Sequence, residues 1–323
     1  MHKNLSIKFF LQKLRGKSKI GLIVLNIFVY LLLFIWTIEN IHIDRLLENF
    51  RKVPYLAIVG TFLLNSFALA ISSYRLSALI QKDFRTAFSI TNIGYSLNTL
   101  FPFRLGEVVK IYMTFSLFKI SASEISLATA AEKLADLIAI LILGLVAFVF
   151  VAASDIKAST LVHIGILSVL SICGFALLRN NIESILIFFS GLDRFRSVLI
   201  ELQRHTLCYP IGRIILITAG LWLLNILLVY FSFNTYLLEV DIGIFDSIAL
   251  LVIIALSVAI PAAPAGLGLF EAGIVVFLVK ASDIEMEPAL VAATVFHFAI
   301  TAPQLLVSAW LIWSRTGGLL KEE

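Results

Sequence analysis

Charge and cysteine are scarce in this chain, and each scarcity narrows what it can be. Only 14% of the 323 residues are charged, against about 25% in soluble domains. The bulk is apolar: 60% of residues are hydrophobic and the mean hydropathy is +1.01. No polar run is long enough for a separate soluble domain. The two cysteines, Cys173 in an apolar run and Cys208 in a polar loop, are expected to remain unbridged and say nothing of redox compartment. No Cys/His cluster has metal-site spacing, no Ser/His/acid arrangement suggests a nucleophile, and no cofactor is expected. Gly266-Leu267-Gly268-Leu269-Phe270-Glu271 begins like a dinucleotide fingerprint, but it follows an apolar run and lacks the final glycine. Nothing suggests a nucleic-acid partner.

What is present is a series of apolar runs of span length. Residues 20–38, 54–80, 124–151, 159–178, 214–238 and 288–313 each reach about the 20 residues that a helix needs to cross roughly 30 Å of hydrocarbon. The first follows a basic stretch, 1–19, and ends without a small-residue cleavage site, so it reads as an uncleaved span. Two regions differ. In 86–118, short arms flank Phe101-Pro102-Phe103-Arg104-Leu105-Gly106-Glu107. In 244–280, they flank Pro261-Ala262-Ala263-Pro264-Ala265-Gly266-Leu267-Gly268. Pro and Gly break helices, and the arms are short for crossings, so both regions read as re-entrant hairpins. The expected fold is an all-α polytopic membrane protein with about six full spans plus two hairpins, or eight or more spans by a naive count.

With the N-terminus in the cytoplasm, 16 of the 25 Lys and Arg fall in cytoplasmic segments, 5 in outer segments and 4 inside the membrane. This is a positive-inside bias. It places 1–19 and the tail 316–323 in the cytoplasm of an inner (plasma) membrane, and 39–52, 154–158 and 281–287 outside as loops. Two full pairs of crossings in place of the hairpins would leave the other loops on the same sides.

Each half then runs helix, Pro/Gly break, short arm with a Glu, polar turn, long helix. Glu107 and Glu271 are 164 residues apart, as are Ser123 and Glu287. Halves at about 86–151 and 244–313, joined by 179–213, form an inverted-topology repeat with broken helices meeting near the midplane. Helical spacing of apolar residues and interleaved Arg in 179–213 suggests helices on the inner leaflet, either packing under the bundle or sensing anionic lipid.

Eight ionisable residues interrupt these membrane segments: Arg75, Arg104, Glu107, Lys110, Glu132, Lys133, Asp136 and Glu271. Each costs roughly 2.5–3.5 kcal/mol at the centre of an isolated apolar helix, so together they point to a polar, water-accessible site. Arg104 beside the N-terminal end of arm 107–118 suits an anion, or pairs with Glu107 to fix the turn. Gly106 lets backbone approach closely. Glu132 and Asp136 share a helix face and either bind a proton or cationic group, or neutralise Arg104 or Arg75. Glu271 opens the second arm and is either functional or a helix cap. Arg75 and Lys110 are either supporting site residues or snorkel to the surface. His297, the counterpart of Lys133, is either a packed hydrogen-bonding residue or a proton relay. Side chains of Arg104 and Glu107 are expected to approach helix 124–151, near Glu132 or Asp136.

At these residues the chain resembles a known family. Pro102-Phe103-Arg104-Leu105-Gly106-Glu107, Glu132-Lys133-Leu134-Ala135-Asp136 and Pro264-Ala265-Gly266-Leu267-Gly268-Leu269-Phe270-Glu271 resemble, in order, three signatures of the flippase-like membrane domain of lysylphosphatidylglycerol synthases. The likeness covers roughly 20–315 as one transmembrane domain. It implies transfer of an anionic or modified phospholipid between leaflets, with a headgroup at Arg104, Gly106, Glu107, Glu132, Lys133, Asp136, Gly266, Gly268 and Glu271. The chain ends at Glu323, so the synthases' aminoacyltransferase domain is expected to be absent, which leans against an enzyme. Lys133 stands for the usual Arg, and His297 where relatives often carry Arg, which weakens a bidentate phosphate grip. The other reading is an accessory protein that binds a polyprenyl-linked lipid without moving it, beside a separate synthase or glycosyltransferase. The sequence leaves the oligomeric state open.

Overall fold

The computed structural model describes residues 42–101, 105–151, 211–237, 241–259 and 264–319. Among them are nine α-helices, one 3-10 turn and no strand. The helices are α1 (Ile43–Lys52), α2 (Tyr55–Ile80), α3 (Phe84–Leu100), α4 (Leu105–Phe118), α5 (Ala122–Val151), α6 (Ile211–Tyr236), α7 (Ile244–Ala259), α8 (Leu269–Ala281) and α9 (Met286–Leu319). The expected spans 20–38 and 159–178, most of 179–213, and Arg104 lie outside the described residues.

Among the described residues, four helices are long and apolar enough to cross a membrane: Tyr55–Ile80, Ala122–Phe150, Gly212–Tyr236 and Met286–Leu311. The protein is an all-helical, polytopic membrane protein. Many of its large apolar side chains face outward, Leu63, Phe67, Leu216, Leu223 and Leu306 among them, as expected where the surrounding solvent is hydrocarbon. Two boundaries differ from the sequence reading. α6 begins at Ile211, inside the expected linker, and α9 runs on to Leu319, past the expected end of the domain at 315.

The segment 39–52 reads as a loop in the sequence, and most of it is instead α1. Ile43, Leu46, Leu47 and Phe50 recur at helical spacing while Asp44, Arg45, Glu48, Arg51 and Lys52 take the other face. Leu46 packs on the core, and the His42 N–H donates to Glu287 at 3.4 Å, tying α1 to the start of α9.

The element order repeats. α2 and α6 are both 26 residues long. α4 and α8 start at Leu105 and Leu269, α5 and α9 at Ala122 and Met286, each 164 residues apart. α2 and α6 pack antiparallel, because Thr61 meets Ser232 at 2.8 Å while Arg75 meets Thr218 at 3.2 Å. Each hairpin's first helix packs on the long helix of the other half, α3 on α9 and α7 on α5.

Cross-helix bonds fix the depth of the hairpins. The Ser96 hydroxyl, near the end of α3, donates to the Gln304 carbonyl at 2.8 Å and lies 2.7 Å from the Ser308 hydroxyl. Near the start of α8, Glu271 meets His297. Both tips therefore end near the middle of the apolar part of α9, having come along it from opposite ends. The 16 residues of α7 and 13 of α8 span only about 24 and 20 Å, short of the roughly 30 Å hydrocarbon core. In the second tip, Gly266 and Gly268 have φ of 74° and 85°, a backbone that glycine adopts without a Cβ clash. The turn Pro264–Gly266 packs on α3 of the other hairpin.

Candidate functional site

The first hairpin's inner face meets α2 and α5 at a cluster of charge. Arg75 is 1% exposed, although it belongs to an apolar helix. Its guanidinium forks onto Asp136, with Nη1 donating to Oδ1 at 2.7 Å and Nη2 to Oδ2 at 3.0 Å. Nη1 also donates to the Thr218 hydroxyl of α6, and Nε lies 3.6 Å from Glu132. The Trp222 indole N–H donates to Asp136 at 3.2 Å. Arg75 thus does not snorkel. A fork on a carboxylate satisfies more of its donors than a route along the span to the surface. Glu132 and Asp136, one helical turn apart, share this arginine.

Glu107, in the first turn of α4, accepts from the Asn98 side-chain amide at 3.0 Å and lies 3.6 Å from the half-exposed Lys133 ammonium of α5. The expected approach of Glu107 to α5 ends on Lys133 rather than on Glu132 or Asp136, because it meets opposite charge there and like charge at the two carboxylates. Arg104 itself lies outside the described residues. Gly106 lies against α3, where a Cβ would overlap the Asn98 backbone nitrogen. It is a packing residue at the tip.

Lys110 is 7% exposed and does not snorkel either. Its side chain crosses bare Gly94, where a Cβ would come 2.7 Å from its Cδ, and its ammonium makes one bond, to the Thr129 hydroxyl at 3.3 Å. Between these groups is a cavity of about 20 Å³ lined by Arg75, Glu107, Lys110, Glu132, Lys133 and Asp136, with Ser72, Thr91, Gly94, Tyr95 and Asn98. That volume holds a water or two. The Thr91 hydroxyl and the Asn98 side-chain carbonyl oxygen are buried without hydrogen-bond partners. Among the described residues, three cations and three carboxylates balance here, and Lys110, with one neutral partner, is the least satisfied cation of the three.

The second half repeats one contact and loses the rest. Glu271 accepts from the Gly268 N–H at 2.7 Å, capping α8, and its other oxygen lies 2.6 Å from His297 Nδ1. Adding 164 to Glu107 and Lys133 gives Glu271 and His297, so both halves place an acid–base pair at the same point. The other charges are gone. At the same offset, Lys110, Glu132 and Asp136 become Ile274, Phe296 and Ile300, while Phe231 stands on α6 where Arg75 stands on α2. Phe233, Phe270 and Phe296 pack together there.

Of the residues singled out in the sequence, Arg75, Glu107, Lys110, Glu132, Lys133 and Asp136 come together at one cavity. Gly266, Gly268, Glu271 and His297 form the second tip. The sequence reading missed Thr91, Asn98, Thr218 and Trp222. The only signal was a polar atom within an apolar helix, too common in membrane helices to choose among them. No His/Cys/Asp/Glu group among the described residues has the arrangement of a metal site.

Comparison with known proteins adds one finding. The family model described as lysylphosphatidylglycerol synthase TM region matches residues 22–308. No curated protein matches the chain.

Proposed function

The chain belongs to the lysylphosphatidylglycerol synthase TM-region family, and from that premise we propose that it carries a phospholipid or lipid-linked headgroup between leaflets. The observation that supports this reading best is the buried, under-satisfied Lys110 at a charge-lined cavity. A purely structural lysine in hydrocarbon is expected to pair with a carboxylate or reach the surface. Lys110 does neither among the described residues, and a lipid phosphate would satisfy it. Lys133, half exposed on the next helix, extends the basic side toward the bilayer. In this reading acyl chains stay in the bilayer while the headgroup uses the charged cavity. That cavity has room for water only, so a headgroup needs it to widen. Arg104 is proposed to join the site from the first tip, and the surrounding membrane to be the plasma membrane with both termini cytoplasmic.

The test is leaflet transfer of a fluorescent phospholipid in proteoliposomes with matched incorporation. Lys110→Met should cut the rate at least tenfold while the protein stays monodisperse. Wild-type rates in Lys110→Met would place the headgroup elsewhere. The second reading is a protein that binds a polyprenyl-linked lipid without moving it. A larger cavity, about 520 Å³, favours it: Arg85 stands there beside Phe88 and Trp310, a cation among apolar walls with room for a lipid phosphate as it stands. It predicts co-purified lipid that depends on Arg85, with no transfer.

A further inference from the structure

The two acid–base pairs at the hairpin tips occupy equivalent places but differ in kind. Lys133 beside Glu107 carries a fixed charge, so that pair stays neutral. His297 stands beside Glu271 in place of that lysine, and histidine is the one unperturbed side chain whose charge changes between about pH 5 and 8. We propose that His297 is a proton-binding site at the tip of the second hairpin, and that proton uptake there is coupled to the movement of that tip. The coupling to lipid rests on the translocation reading; the proton site does not.

The geometry carries the argument. His297 is 5% exposed, and its Nδ1 is committed to Glu271 at 2.6 Å. Nε2 makes no hydrogen bond among the described residues, which leaves one ring nitrogen open to a proton. With Nδ1–H donating to the carboxylate, the pair has net charge −1. Binding H⁺ at Nε2 gives an imidazolium and brings the pair to zero, and release returns it to −1. Nothing else is oxidised, reduced or transferred. The surroundings make that one charge matter. From α8, Glu271 faces the ring and Phe270 stacks on it with centroids 4.2 Å apart, a position that favours a cation. From α6, Phe233 packs on the neighbouring Phe296. α2 presents Asn65, bonded to the Ile300 carbonyl, and α3 presents Ser96 at Gln304. Just before α1, the His42 N–H bonds Glu287, about 2.8 turns away along α9. Among the described residues no Lys, Arg or second carboxylate pairs with His297. A net −1 pair in an apolar site is costly and a neutral one is much less so. The Glu271 contact also caps α8 through Gly268, so a change of charge acts directly on the turn that packs against α3.

The test reads the tip itself. Spin labels at Leu267→Cys, on the exposed tip, and Leu137→Cys, on the exposed face of α5, are introduced with Cys173→Ser and Cys208→Ser. Their distance distribution is measured in liposomes from about pH 5 to about pH 8. The expected result is two populations whose ratio follows a single-proton titration. In His297→Lys, which installs the first half's residue, and in His297→Gln, which keeps a hydrogen-bond donor without titrating, the ratio should no longer change with pH. An unchanging wild-type distribution, or a pH response that survives both variants, overturns the proposal. A second arm measures leaflet transfer of the same fluorescent phospholipid with and without an imposed pH gradient. Several-fold acceleration, lost in His297→Gln, supports coupling. A responsive tip in vesicles whose transfer ignores the gradient overturns the coupling. A responsive tip with no transfer under any condition removes the translocation reading and leaves the proton site standing.

Discussion

Removing the Arg75 side chain gives the sharpest measure of what holds the first half together. Arg75→Met keeps bulk and apolar contact but deletes the fork on Asp136, the bond to Thr218 and the ion pair with Glu132. Asp136 would keep only the Trp222 indole N–H, and Glu132 would lose its cation. Two carboxylates one turn apart, Glu132 buried and Asp136 partly so, would then face each other. Removing one partner of a buried pair costs about 3–5 kcal/mol. Ordinary interhelical hydrogen bonds in membranes average only about 0.6 kcal/mol, so the fork should outweigh any neutral contact in the bundle. Set against a total stability of about 5–15 kcal/mol, the loss should be visible as a large shift in reversible unfolding in mixed micelles. Arg75→Lys, which keeps charge but not the planar fork, should fall between. Asp136→Leu in the Arg75→Met background should restore part of the loss, because the stranded carboxylate is gone. The reasoning fails if Arg75→Met costs less than about 1 kcal/mol, or if the two substitutions simply add, since contacting partners must couple.

Two further outcomes follow from local geometry. Gly106→Ala should destabilise by about 1–3 kcal/mol, the usual cost of overpacking, because its Cβ meets the rigid backbone of Asn98, whereas Gly94→Ala meets the movable Lys110 side chain and should cost less; thermal melts in one detergent compare them. Asp83 caps α3, and bonds from the Thr86 hydroxyl and N–H hold its carboxyl below the usual carboxylate range. That stabilisation is present above the ordinary Asp pKa of about 3.9 and is lost as pH falls through the lowered folded value. Asp83→Ala should therefore speed amide exchange in the first turn of α3 at neutral pH and make little difference in strong acid.

The four described spans were legible because an unbroken apolar run of about 20 residues matches the hydrocarbon thickness and exceeds what a soluble core usually buries. The hairpins were legible because Pro and Gly interrupt arms too short to cross. α1 was legible in principle: Ile43, Leu46, Leu47 and Phe50 have helical spacing, but its dense charge made a loop the simpler reading. The 164-residue offset foretold that Glu107 and Glu271 correspond, and it also relates their contacts with Lys133 and His297. The fate of Arg75 was half legible. Pairing with Glu132 or Asp136 was one of two readings and snorkelling the other, and the choice between them rests on a partner 61 positions away on a helix whose rotation only packing decides. The same holds for Lys110, whose burial depends on Gly94 being bare on another helix.

The loss of charge from the second half has a physical consequence for how the halves can differ. In the first half the Arg75 fork joins α2 to α5, Thr218 and Trp222 join α6 to the same cluster, and Lys110 joins α4 to α5. Displacing those helices relative to one another separates several charges in a low-dielectric setting, so they resist it together. In the second half Ile274, Phe296 and Ile300 stand at the equivalent positions, and apolar surfaces slide without stranding a charge. What remains to hold the α8 tip on α9 is the Glu271–His297 contact and aromatic packing. A pseudo-symmetric scaffold with one half pinned by several charges and the other by a single acid–base pair is mechanically unequal. Any ligand-driven or proton-driven motion would fall first on the second hairpin, and because its turn Pro264–Gly266 packs on α3, that motion would reach the helix that lines the charged cavity.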